Sequence, residues 1–151
     1  MNSAHEVAKY FLWLADAEDD DLVSNMKLQK LLYYAQGFHL AILDEPLFPE
    51  AIERWVHGPV VPEIYHAYKS YGKDGIAYGG DLDPNDFDLQ TREVLEEVYK
   101  VYGHFTASWL RQLTHDEPPW RDTEERSIIS RDSLKQFFRT RVVDDEKAAA
   151  T

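Results

Sequence analysis

The chain has 151 residues, 16 Lys and Arg against 28 Asp and Glu, for a formal charge of −12 at neutral pH, and 44% of it is hydrophobic. That length suits one domain with one core, too rich in apolar side chains for a disordered chain and in no need of a metal or disulfide to hold it. With no Cys, disulfide frameworks, thiolate zinc sites, iron–sulfur clusters and thiol catalysis are excluded, and the negative charge repels phosphate backbones, so direct nucleic-acid binding is not expected.

In chain order, Ser3 and Glu6 have capping-box spacing and predict the start of a first helix. Val7, Tyr10, Phe11 and Leu14 follow at i, i+3, i+4 and i+7, one apolar stripe. The run Asp16, Glu18, Asp19, Asp20, Asp21 reads as a solvated connection, with a partner-facing patch as the second reading. A second helix is predicted after Ser24 or Asn25 to about Leu43 and is apolar nearly all round, which places it at the centre. Gly37 in its interior predicts a close crossing with another backbone.

From Asp44 to Pro62 the period changes to alternation, which with Pro46, Pro49 and the His57-Gly58-Pro59 punctuation predicts a short two-stranded ribbon. Pro62 suits the first position of a third helix with an aromatic face of Tyr65, Tyr68 and Tyr71, ended by Gly72. The Gly- and Asp-rich stretch from Gly72 to Gln90 predicts an unusually long connection with room to move. A fourth helix from about Thr91 turns Val94, Leu95, Val98, Val101 and Tyr102 inward. Thr106 caps a short fifth helix holding Trp109, Leu110 and Leu113, then Thr114 to Trp120 forms an irregular link, and Ser130 caps a last helix with Leu134, Phe137 and Phe138 inward. The expected fold is mainly α: a single-domain bundle of about five to six helices around a central helix, with one β ribbon. The domain is expected over residues 1–142, with 143–151 a disordered tail.

Position by position, the sequence offers little chemistry. Neither a GxGxxG loop, a Walker A loop, an HExxH pair nor a GxSxG elbow is present. His115 and Glu117 stand close together after a helix, as a metal-ligand pair or acid/base pair does, but such short matches arise often by chance, and a histidine capping a helix end beside an ion-paired glutamate is the preferred reading. No cofactor is expected. Met1 to Tyr10 lacks the basic and apolar regions of a signal peptide, and no stretch approaches the roughly 18 apolar residues of a membrane span, so a cytoplasmic protein without membrane contact is expected. Trp55, Tyr65, Tyr68, Tyr71, Trp109 and Trp120 are more large amphipathic rings than one small core takes, which leaves core and interface roles open for each.

Three ordered segments carry a resemblance: Lys27 to Ala41 (KLQKLLYYAQGFHLA) followed by Pro46-Leu47-Phe48, then Trp55 to Pro62 (WVHGPVVP), then Leu113 to Trp120 (LTHDEPPW) with the closing Ile129 to Phe138 helix. Together they resemble the SocA-like antitoxin family, the Panacea domain, from about Val7 to Phe138. The resemblance implies a mostly helical, non-enzymatic domain, often carried by prophages and mobile elements, that neutralises a toxin encoded by an adjacent gene through direct protein contact. His57 departs from the aromatic residue common before Gly-Pro in the family, and no added helix-turn-helix segment fits ahead of Val7.

The motif positions carried over are Lys27, Gln29, Lys30, Tyr33, Trp55, Gly58, Pro59, Pro62, His115, Glu117, Pro119 and Trp120, mainly fold-defining, with toxin contact as their second role. Lys27 and Lys30 at the start of the central helix are unfavourable to its dipole, so a carboxylate partner, Glu117 or Glu53, is expected. Trp55 and Trp120 are expected to close over the central helix. Toxin choice is assigned to variable acidic surface: Asp19, Asp20 and Asp21, or Asp81, Asp83 and Asp86. Two rival readings stay open, an adaptor or regulatory module for a non-toxin protein and a metal-dependent hydrolase centred on His115 and Glu117.

Overall fold

In the computed structural model, which describes residues 1–18 and 23–150 with the side chains of 143–150 excepted, helix α2 (Asn25–Leu43) runs through the middle of the molecule. Ser24 caps it by accepting a hydrogen bond from the Lys27 N–H, and Asp44 ends it in the left-handed conformation, φ 59°. Helices lie on several of its sides: α1 (Ala4–Glu18), α4 (Leu89–Tyr102), α5 (Ala107–His115) and, most extensively, α7 (Arg131–Ala150). Enclosure explains why α2 has no solvated polar face: Leu28, Leu31, Leu32, Tyr33, Tyr34 and Ala35 are all fully buried.

Local signals in the sequence start most of the helices. The Ser3–Glu6 capping box forms in both directions, with N–H to side-chain oxygen distances of 3.1 Å each way. Asp88 caps α4, Thr106 caps α5, and the Ser130 hydroxyl accepts from the Ser133 N–H at 3.1 Å at the start of α7. The ribbon pairs β1 (Glu53–Trp55) with β2 (Gly58–Val60) antiparallel, Arg54 opposite Pro59. On the other edge of β1 the backbone of 126–129 joins it, Arg54 N–H to the Ser127 carbonyl at 2.9 Å and Ile129 N–H to the Ile52 carbonyl at 2.8 Å. Helix α3 (Pro62–Ala67) begins at proline as expected, then tightens into a 3-10 turn, Lys69–Tyr71, ended by Gly72 at φ 60°.

Several expectations are corrected. Gly37 accommodates a ring rather than a backbone: a Cβ there would lie 2.8 Å from Phe138 Cγ and closer still to Cδ2 and Cε2. Val101, expected inside, is 46% exposed, and Tyr99 takes the inner position on α4; of the two roles left open for Trp109, its 50% exposure excludes the core. The Thr114–Trp120 link is largely helical, because α5 continues to His115 and the two prolines open a one-turn helix, α6 (Pro118–Arg121), where missing N–H groups do no harm. The long 72–88 connection is tied down at Ile76, whose N–H meets the Val23 carbonyl at 2.9 Å, and at the buried Phe87. The acidic run at Asp19, Asp20 and Asp21 lies outside the described residues, as do the side chains of the tail past residue 142. Among the described residues no helix is long and apolar enough to cross a membrane.

Candidate functional site

Polar side chains on α2 hold the elements around its N-terminal half in place. Gln29 donates to Asn25 Oδ1 at 2.9 Å and accepts the Val61 N–H at 2.9 Å, while Asn25 donates to the Tyr65 carbonyl at 2.9 Å. The ribbon's end and α3 are thereby fastened to the first turns of α2. Two turns on, Gln36 does the same for the 47–48 stretch, donating to the Phe48 carbonyl at 2.9 Å and accepting the Leu47 N–H at 2.6 Å. Its bonds close both ends of one amide, so it acts as a buried stand-in for a strand neighbour.

Glu117 reaches α2 from the turn before α6. Its two carboxylate oxygens accept from the Tyr33 and Tyr34 hydroxyls at 2.9 and 3.0 Å. Burial pushes this carboxyl up to about 7, and the two hydroxyl bonds only partly oppose that. Both tyrosines are pushed up in turn, by burial first and by the neighbouring carboxylate second. His115 does not share this network. Its ring stacks on Trp120 with centroids 3.9 Å apart and planes 6° apart, and its Nε2 is buried without a hydrogen-bond partner. Burial, then the charge of Arg111, lowers its pKa. Arg54 covers the Trp120 ring, 4.1 Å from its centroid, and Trp120 donates to the Trp55 carbonyl at 2.9 Å. The two residues of the rival hydrolase reading are therefore divided between a tyrosine cluster and a ring stack, and among the described residues no group of three or more His, Asp or Glu is placed to hold a metal.

Lys30 gives the largest departure. Neither Glu117 nor Glu53 meets it: Glu117 is engaged by the tyrosines, and Glu53 accepts from Trp55 Nε1 at 3.0 Å. The Lys30 side chain is 0% exposed, and its Nζ has no hydrogen-bond partner. Burial, with the Arg111 charge adding to it, brings its pKa down to about 7. Gly58 makes this packing feasible: its φ is +122°, and a Cβ there would sit 2.6 Å from Lys30 Cε and 3.2 Å from Thr114 Oγ1. Only glycine takes that backbone conformation and approach without strain.

Above Lys30 opens a groove of about 550 Å³, walled by the first residues of α2, the ribbon, α3 with its 3-10 turn, and α5. Trp55, half-buried, lines this groove together with Met26, Gln29 and Lys30 of α2, its ring edge to Tyr65, 5.0 Å between centroids, while Trp120 is in the core. Arg126 covers Trp55 at 4.2 Å from the ring centroid. Among the other motif residues, Lys27 is buried on α2, Pro59 lies in β2 opposite Arg54, Pro62 opens α3, and Pro119 is buried in α6. The acidic residues of the long connection are exposed but engaged. Asp81 pairs with Lys9 at 2.8 Å, Asp83 caps its own turn through the Asn85 N–H, and the Asp86 carbonyl accepts from Asn2.

Arg54, Arg111 and Gln36 were not singled out from the sequence. Gln36 had a readable signal, since Gln29 and Gln36 are two amides seven residues apart on a helix with apolar residues nearly all round, which puts them on one buried face in need of partners. Arg111 had none, because its place beside Lys30 depends on how α5 packs.

A family model described as "Antitoxin SocA-like, Panacea domain" matches residues 28–121, from α2 through α6. Antitoxin SocA of Caulobacter vibrioides is 34% identical over 130 residues, covering 78% of this chain and 68% of that protein. No solved structure matches the chain.

Proposed function

The chain belongs to the SocA-like, Panacea-domain family, and from that premise we propose that it is an antitoxin that neutralises a cognate protein toxin by direct contact. The observation that carries the reading is the family match over 28–121, which takes in α2 from Leu28 on, the ribbon and the His115 to Trp120 segment. The chain acts without catalysis, in the cytoplasm, and its gene lies beside the toxin gene in a prophage or mobile element.

What supports a binding role for its surface is the placement of large side chains. Trp109 and Phe105 are 50% and 37% exposed at the start of and just before α5, their centroids 6.3 Å apart. Exposed aromatic pairs of this kind anchor protein interfaces. Asp81, Asp83 and Asp86 lie exposed on the long connection, and charge of that sign draws a basic partner surface. Most motif residues, including Tyr33, Gly58, Pro62, Glu117, Pro119 and Trp120, hold the scaffold that presents these groups.

The test is co-expression with the product of the adjacent open reading frame, scored for growth rescue and for a complex that co-purifies. Rescue with a stoichiometric complex is expected, and Trp109→Ala should weaken the complex with an unchanged Tm. Toxicity that this chain does not relieve, with no complex, would refute the antitoxin reading.

A further inference from the structure

The chain carries a formal charge of −12, yet the groove above Lys30 presents cations. Lys30, Lys69, Lys73 and Arg111 line it, and among the described residues no Asp or Glu does. Among the described residues, too, none of these four is held in an ion pair with a carboxylate. The first residues of α2 and of α5 face the same space, adding the partial positive charge of two helix N-termini. Lys30 is the second and independent observation: a fully buried ammonium whose Nζ has no partner. A buried charge of that kind is strongly unfavourable unless an anion meets it. Beside it Trp55 and Tyr65 form an apolar wall.

We propose that this groove is a docking site for a carboxylate-bearing segment of a protein partner, with Lys30 and Arg111 reading the carboxylate and Trp55 and Tyr65 covering the adjoining chain. The site rests on the reading of this protein as one that binds another protein. Charge selects the class of ligand. Outside the groove the surface repels a ligand that is anionic throughout, such as a free polyphosphate, whereas an acidic side chain on a neutral or basic partner brings its charge to the groove alone. The exposed acids elsewhere and the cationic groove thus make a two-signed surface, which fixes orientation as well as attraction.

The experiment titrates the full chain with a capped peptide carrying one glutamate between two phenylalanines with flanking lysines, and with its glutamine counterpart, read by tryptophan fluorescence. The glutamate peptide is expected to bind saturably and roughly tenfold tighter than the glutamine one. That preference should vanish in Lys30→Met and in Arg111→Gln, and persist in Asp81→Asn, each shown folded by circular dichroism. If Lys30→Met fails to fold, Arg111→Gln and the double variant Lys69→Gln, Lys73→Gln carry the comparison. Equal binding of the two peptides, no saturable binding, an undiminished preference in the groove variants, or tighter binding of ATP than of the glutamate peptide would each overturn the proposal. Glutamate-selective binding without toxin rescue would uphold the groove and remove the antitoxin reading; rescue without selective binding would do the reverse.

Discussion

Gly37→Ala probes the crossing on which the whole bundle is built. On an exposed helix the change would stabilise by about 1 kcal/mol, since Ala is the better helix former. Here the new methyl would stand 2.8 Å from Phe138 Cγ and nearer still to Cδ2 and Cε2, against an ordinary contact of 3.4 Å or more, so the ring must retreat by about 1.2 Å. It has nowhere to go. Phe138 is fully buried and fenced by Tyr33, Tyr34, Phe38 and Phe137, with centroids 5.5, 5.8, 4.8 and 5.0 Å away. Overpacking of this kind destabilises by about 1–3 kcal/mol or more, which outweighs the helical gain. For a chain of this size that lowers Tm by roughly 2–4 °C per kcal/mol. Thermal and urea unfolding of Gly37→Ala should therefore show a lower midpoint at unchanged m value. Adding Phe138→Leu, which opens space under the methyl, should recover part of the loss, although Phe138→Ala alone costs about 3–5 kcal/mol. A Gly37→Ala protein as stable as its parent would refute the packing on which this reasoning stands.

Two buried ionisable groups should tilt stability with pH in opposite directions. Glu117 titrates at about 7 in the folded chain against an ordinary 4.5, so the folded state keeps a proton that the unfolded chain releases; its contribution falls by about 3 kcal/mol between those pH values. Glu117→Gln should flatten that fall in urea midpoints, and an identical slope would count against the buried carboxyl. Lys30 titrates at about 7 against an ordinary 10.5, so the unfolded chain holds the extra proton and stability from this group rises with pH over that span. Lys30→Met should be more stable than the parent at pH 6.5, with the gain shrinking by pH 9.5; a variant less stable at pH 6.5 would mean the ammonium has a partner. Gln36→Leu leaves the Leu47 N–H and the Phe48 carbonyl unsatisfied and should cost about 2–6 kcal/mol, since each orphaned buried group costs about 1–3; a neutral result by calorimetry would dismiss the bridge.

Helix starts were legible because capping is a matter of three or four neighbouring residues: Ser3 with Glu6, Ser24, Thr106 and Ser130 announce their helices whatever else surrounds them. The central place of α2 was legible as well, since a helix apolar on every side must be enclosed. So was the family, carried by ordered segments that bear on α2, the ribbon and the closing turn. Which side of α5 faces inward was not, because Trp109 and Leu110 are both apolar and only the packing of α5 against α2 selects Leu110. The partners of Lys30 and Glu117 lay equally out of reach. Sequence spacing shows two opposite charges in want of company, but Tyr33 and Tyr34 reach the carboxylate first, and Gly58 lets the ribbon pack onto the ammonium. The groove above it, cationic on an acidic protein, exists because residues from α2, the ribbon, the 3-10 turn and α5, up to 87 positions apart from Ser24 to Arg111, meet only when the chain has folded.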